Sequence, residues 1–97
     1  MKALLGLCLC LASMAAQAES WRFALIGDTP YSDYERQQLP GMLQAIAAAH
    51  VGFIAHAGDI KHSQDACSDA LFEDRRQIFA ASAVPFIYVP GDNEWTD

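Results

Sequence analysis

Basic side chains are scarce in this chain. Lys and Arg number 6 against 12 Asp and Glu, for a formal charge of −6 over 97 residues. That balance repels the nucleic-acid backbone and anionic lipid surfaces, so neither is an expected partner. Cysteine is scarce as well, with Cys8 and Cys10 near the start and Cys67 in the body, too few for a disulfide framework. The one long apolar run lies at the N-terminus and is shorter than the ~20 residues that span a bilayer. There is no low-complexity segment and no linker.

The N-terminus carries an address. Lys2 supplies a positive n-region, Ala3 to Ala15 an apolar h-region, and Ala16-Gln17-Ala18 a small-x-small cleavage site, the pattern of a secretory signal peptide over residues 1–18. Leu7 and Leu9 precede Cys8 and Cys10 where a lipidation site has a small residue, and both cysteines fall inside the h-region. The expected product is exported, periplasmic or secreted, and begins at Glu19. Loss of Lys2 brings its formal charge to −7. Cys67 is then its only cysteine, in a compartment that oxidises thiols. It is either a buried thiol or half of a disulfide whose other half is absent.

Three apolar runs end in a Gly-Asp pair: Ala24-Leu25-Ile26-Gly27-Asp28, His56-Ala57-Gly58-Asp59 and Tyr88-Val89-Pro90-Gly91-Asp92. The aspartates are 31 and 33 residues apart, about one strand, crossover helix and parallel strand. All three would emerge beyond one sheet edge, where α/β folds bind ligands. Carboxylates that converge repel by roughly 4 kcal/mol per pair at ~4 Å with an effective dielectric near 20, unless protons or a cation neutralise them. The repeat therefore points to a metal site.

The intervening pattern agrees with that spacing. Trp21 to Ile26 reads as a first strand, apolar enough for a sheet covered on both faces. Ser32 and Glu35 stand at capping-box spacing and open a helix that Pro40-Gly41 is expected to interrupt, with Pro40 restarting it for Met42 to Ala49. Val51 to Ala57 reads as a second strand, followed by a polar loop from Asp59 to Asp65. Ser68 to Ala81, apolar at Leu71, Phe72, Ile78 and Phe79, reads as an amphipathic helix, and Phe86 to Val89 as a third strand. The order β-α-β-α-β predicts a parallel sheet with right-handed crossovers.

At its three Gly-Asp motifs the chain resembles the calcineurin-like metallophosphoesterase superfamily. Members carry Asp-x-His after the first strand, Gly-Asp after the second and Gly-Asn-His-Asp/Glu after the third. The counterparts are Gly27-Asp28-Thr29-Pro30, Gly58-Asp59-Ile60-Lys61-His62 and Gly91-Asp92-Asn93-Glu94. The resemblance covers residues 19–97. It implies the β-α-β-α-β half of a metallophosphoesterase-type β-sandwich flanked by helices, the N-terminal portion of a domain whose later histidine motifs lie beyond Asp97. By the same resemblance Asp28 binds one metal, Asp59 bridges two, and Asp92 takes the position of an Asn ligand. Two divalent ions, Mn, Fe or Zn, would activate a bridging hydroxide for hydrolysis of a small-molecule phosphate ester. Pro30 stands where the first motif has a His ligand. Asn93 stands where the family has the His that protonates the leaving group, and an amide cannot do so. His62, three residues past Asp59, is the alternative acid. The competing expectation is an inactive phosphoesterase-like binding module or a truncated remnant.

Single residues also admit plainer readings. One Gly-Asp after a strand is more often a turn and helix cap. His50 ends a helix and His56 lies in a strand, both read as structural. His62 divides evenly between site and solvated loop. Lys61, Arg75 and Arg76 could attract phosphate, although the two arginines fit a solvated helix face better, and Tyr31 and Trp95 flank the site, where an aromatic beside a turn usually packs.

Overall fold

A computed structural model describes residues 19–96; the signal peptide expected over residues 1–18 lies outside them. The elements run β1 (Ala24–Ile26), α1 (Asp33–Ala48), β2 (Ile54–His56), α2 (Asp69–Ala80), β3 (Phe86–Tyr88) and a 3₁₀ turn η1 (Asp92–Trp95). The strands form one parallel sheet in the order β1-β2-β3, with Leu25 opposite Ala55 and Ala55 opposite Ile87. This is a small α/β domain.

Cap chemistry sets both helix starts. The Ser32 hydroxyl accepts the Glu35 N–H at 3.2 Å, and the Glu35 carboxylate reaches back to the Tyr31 N–H. Ser68 likewise accepts the Leu71 N–H at 3.2 Å. Each bond satisfies a donor that has no intrahelical partner.

Pro40 does not divide the first helix; α1 is continuous through it. Proline removes one i→i−4 bond, but Pro40 lies on the exposed face, where water can take the orphaned carbonyl.

Both helices cover one face of the sheet. Leu39 and Leu43 of α1, Ile54 of β2, Phe79 of α2 and Ile60 make the buried core, with Ala24, Ile26, Phe86 and Tyr88 packed against it. Phe79 stacks on Phe86 with ring centroids 4.4 Å apart. Truncating a buried leucine such as Leu43 to alanine typically costs about 2–5 kcal/mol. Arg36 of α1 joins Asp74 of α2 through its Nε at 2.8 and 3.0 Å, tying the helices side by side.

The opposite face is open; the apolar β1 pattern reads as cover on both sides, whereas half of a two-sheet sandwich leaves one apolar face exposed. Leu25 is 68% exposed and Ile87 50%, and Phe23 and Val89 continue the same alternation at 55% and 56%. Apolar composition could not distinguish the faces because both are equally apolar.

Candidate functional site

The β1 and β2 Gly-Asp turns meet at the C-terminal edge of the sheet. The Asp28 N–H donates to Gly58 O at 3.1 Å, so the first turn lies on the second. Asp28 and Asp59 both adopt the left-handed region, with φ of 55° and 60°, which a carboxylate side chain tolerates better than most. Gly58 has φ of 99°, and a Cβ there would stand 2.1 Å from Gly91 N; one on Gly91 would stand 2.1 Å from Asp59 Oδ1. Glycine is required at both because the second and third turns are in backbone contact.

Tyr31 joins the first two aspartates. Its hydroxyl donates to Asp28 Oδ1 at 2.9 Å and lies 3.5 Å from Asp59 Oδ2. Asn93 completes the group: its N–H donates to Asp59 Oδ1 at 3.0 Å, and its Nδ2 donates to the Tyr31 hydroxyl at 3.3 Å and to Lys61 O at 3.1 Å. The Asn93 N–H favours Asp59's ionised form, but desolvation and the negative charges of Asp92, Glu94 and Asp28 outweigh it and raise the carboxyl above its ordinary value. Desolvation and the two aspartates also raise the Tyr31 phenol, which stays protonated. The cluster holds more negative charge than the nearby donors compensate.

Glu94 fastens the second and third turns together. Its carboxylate accepts the N–H groups of Asp59 at 3.1 Å, Ile60 at 2.6 Å and Gly91 at 3.0 Å. Burial pushes this carboxyl up, but the Ile60 N–H, the Tyr88 hydroxyl and the Asp59 N–H prevail and hold it below the ordinary range. His56 is fully buried beneath the turns. Its Nδ1 accepts the Gly58 N–H at 3.0 Å, so Nε2 carries the proton and donates to Thr29 O at 2.9 Å. Burial lowers its basicity, opposed only in part by the Thr29 contact and the nearby carboxylates. The satisfied core histidine read from the sequence is what the strand contains.

The predicted residues divide. Asp28, Asp59 and Asn93 come together. His62 is exposed beside them, its ring edge-on to Tyr31 with centroids 5.8 Å apart. Its Nδ1 accepts the Gln64 N–H at 3.2 Å, which leaves Nε2 as the protonated nitrogen of the neutral ring. Asp92 is exposed and contributes charge at Asp59. Among the described residues, no three His, Cys, Asp or Glu side chains are arranged to hold a metal ion.

Two expectations about cations are corrected. Lys61 is fully buried, with Nζ bonded to the carbonyls of Asp65, Thr96 and His62, and does not face a phosphate. Arg75 is not solvated: its side chain is 11% exposed, pairs with Asp74 and donates to Ile60 O at 3.0 Å. The Cys67 thiol lies 3.2 Å from Glu94 O and 3.3 Å from Thr96 O. Two contributors escaped sequence reasoning, Tyr31 and Glu94. Glu94 stands three residues past Gly91 and its carboxylate accepts the Gly91 N–H at 3.0 Å, the half of a capping box that a glycine N-cap allows; a Glu at that spacing is the signal that could have found it. Compared with protein families, curated proteins and solved structures, the chain matches none.

Proposed function

We propose that the Asp28–Asp59 pair holds a divalent cation and that the chain forms the N-terminal half of a metallophosphoesterase-type sandwich acting on small phosphate esters. The observation that carries this reading is the shared Tyr31 hydroxyl, which puts two carboxylates from adjacent parallel strands on one oxygen. Their excess negative charge, expressed in the raised Asp59 carboxyl, is what a cation relieves.

The donors fit a hard ion. Two carboxylates, a phenol and a primary amide offer oxygen, the set that suits Mg²⁺ or Mn²⁺ better than the thiolate and imidazole sets of zinc. Magnesium in particular is commonly held by one or two carboxylates together with substrate phosphate. Asp28 and Asp59 would hold one ion; a second needs ligands besides these. A bound divalent ion polarises phosphoryl oxygen and lowers the pKa of water. The chain's own residues supply the remainder. Asn93 and Tyr31 orient Asp59 and Asp28 through N–H and O–H donors, and His62 presents Nε2–H at the edge as a hydrogen-bond donor to a phosphate oxygen. The bare face of Phe23, Leu25, Ile87 and Val89 is where a second sheet packs in a sandwich of this type.

The alternative, a binding module without turnover, draws support from Asn93, whose amide is committed to Tyr31 and Lys61 O and has no proton to give. Thermal unfolding with and without Mn²⁺ tests the cation, and hydrolysis of an aryl phosphate separates the two readings. Mn²⁺ at 100 times its Kd should stabilise the protein by about 2.7 kcal/mol, and the Asp28→Asn, Asp59→Asn double variant should lose that shift. Equal shifts in both proteins would refute the site. A cation shift without turnover would favour the binding module.

A further inference from the structure

We propose that Lys61 is a positioning residue for the carboxylate pair: its ammonium ties the end of η1 to the His62–Asp65 loop while its main-chain carbonyl holds the Asn93 side chain, and together they fix Asn93 against Asp59. Lys61 is fully buried, and among the described residues no carboxylate pairs with it, a rare setting for lysine. Its Nζ donates to Asp65 O at 2.5 Å, Thr96 O at 2.5 Å and His62 O at 3.3 Å. Three carbonyls take the three N–H groups of an ammonium, and none can return a proton.

The geometry carries that grip into the site. Thr96 follows η1 directly, and its hydroxyl lies within donating distance of Asn93 O at 3.3 Å or Ser63 O at 3.4 Å. The main-chain carbonyl of Lys61 itself accepts Asn93 Nδ2 at 3.1 Å. The side chain therefore holds the far end of η1 while the backbone holds the side chain of Asn93. The Asn93 N–H is what orients Asp59 Oδ1. Without the ammonium, the Asp65 and Thr96 carbonyls lose the donor that joins them, while His62 O keeps the Asp65 N–H, so the tie between the His62–Asp65 loop and the end of η1 is lost. Groups that orient a metal ligand from behind commonly change affinity 10–100-fold when removed.

The effect on the cation rests on the metal reading of Asp28 and Asp59; the effect on η1 does not, so two readouts are needed. In the full chain, Lys61→Ala should bind Mn²⁺ about tenfold more weakly. It should also lose amide-exchange protection at Ile60 and Asn93. Propylammonium, which restores an ammonium between the carbonyls, should recover both properties, whereas tetramethylammonium at the same ionic strength, having no N–H, should recover neither. Leu43→Ala lowers stability from the core and should leave Mn²⁺ affinity unchanged. Should Lys61→Ala fail to fold without amine, folding on addition of propylammonium alone supports the proposal, and Lys61→Met, which keeps the apolar stem but has no ammonium, gives the Mn²⁺ and amide-exchange readouts without rescue. If wild type binds no Mn²⁺, the metal reading fails and amide exchange alone decides on Lys61. Unchanged protection in Lys61→Ala, or equal action of the two ammonium salts, overturns it.

Discussion

Glu94 shows how one carboxylate can organise two loops. It accepts three main-chain N–H groups, and stranding buried donors costs about 1–3 kcal/mol each. Glu94→Ala should therefore destabilise the fold by at least about 3 kcal/mol, and Glu94→Gln by less because one amide oxygen can still accept. Thermal unfolding of the two variants checks the order. The pH dependence has a definite sign. Glu94 is depressed in the fold, so its contribution is complete above the unfolded value of about 4.3 and is lost as pH falls through its folded value. His56 is depressed too, and its contribution declines once pH drops below about 6.5. Asp59, raised in the fold, works in the opposite direction and stabilises on acidification. Glu94→Gln should flatten the acid-side fall in melting temperature and Asp59→Asn should steepen it; parallel curves for all three proteins would contradict these assignments. At this scale the sequence was legible where chemistry is local. Gly58 and Gly91 sit at required close approaches, and Asp28 and Asp59 meet. Tyr31 and Glu94 were not legible as members of the site, because neither stands at the repeated Gly-Asp position and only the fold carries them to Asp59.

Among the elements, the helix starts at Ser32 and Ser68 followed from a hydroxyl placed three residues before an N–H. Pro40 misled because a missing hydrogen bond matters less on an exposed helix face than inside one. The strands were legible as apolar runs but came out shorter, since Trp21 and Phe23 precede the paired residues of β1. Composition gave no sign that one sheet face would be open. That face is the element-scale test. On it Leu25 and Ile87 contact solvent, and exposed substitutions away from special features change stability by no more than about 0.5 kcal/mol. Leu25→Lys with Ile87→Lys should thus leave the melting temperature of this chain nearly unchanged while reducing self-association, since exposed apolar patches promote it. Sedimentation velocity against concentration measures the second effect. A large loss of stability would mean that the face is covered in solution.

For the molecule as a whole, the N-terminal pattern carries the expectation of export, and on the proposed reading the acidic balance means that a small anionic substrate would need a cation beside it. Among the described residues, no helix is long and apolar enough to cross a membrane. Processing after Ala18 should give an exported product whose intact mass starts at Glu19; retention of residues 1–18 on the exported form would contradict it. The central claim is the cation between Asp28 and Asp59, and paramagnetic broadening by Mn²⁺ tests it most directly. In an amide correlation spectrum, substoichiometric Mn²⁺ should first erase the signals of Gly27, Asp28, Gly58, Asp59 and Asn93. Those at the distal end of α1, from Gln44 to Ala48, should persist, because α1 carries the chain away from this edge. Uniform broadening, or loss centred on the exposed acidic residues of α2, would contradict the account.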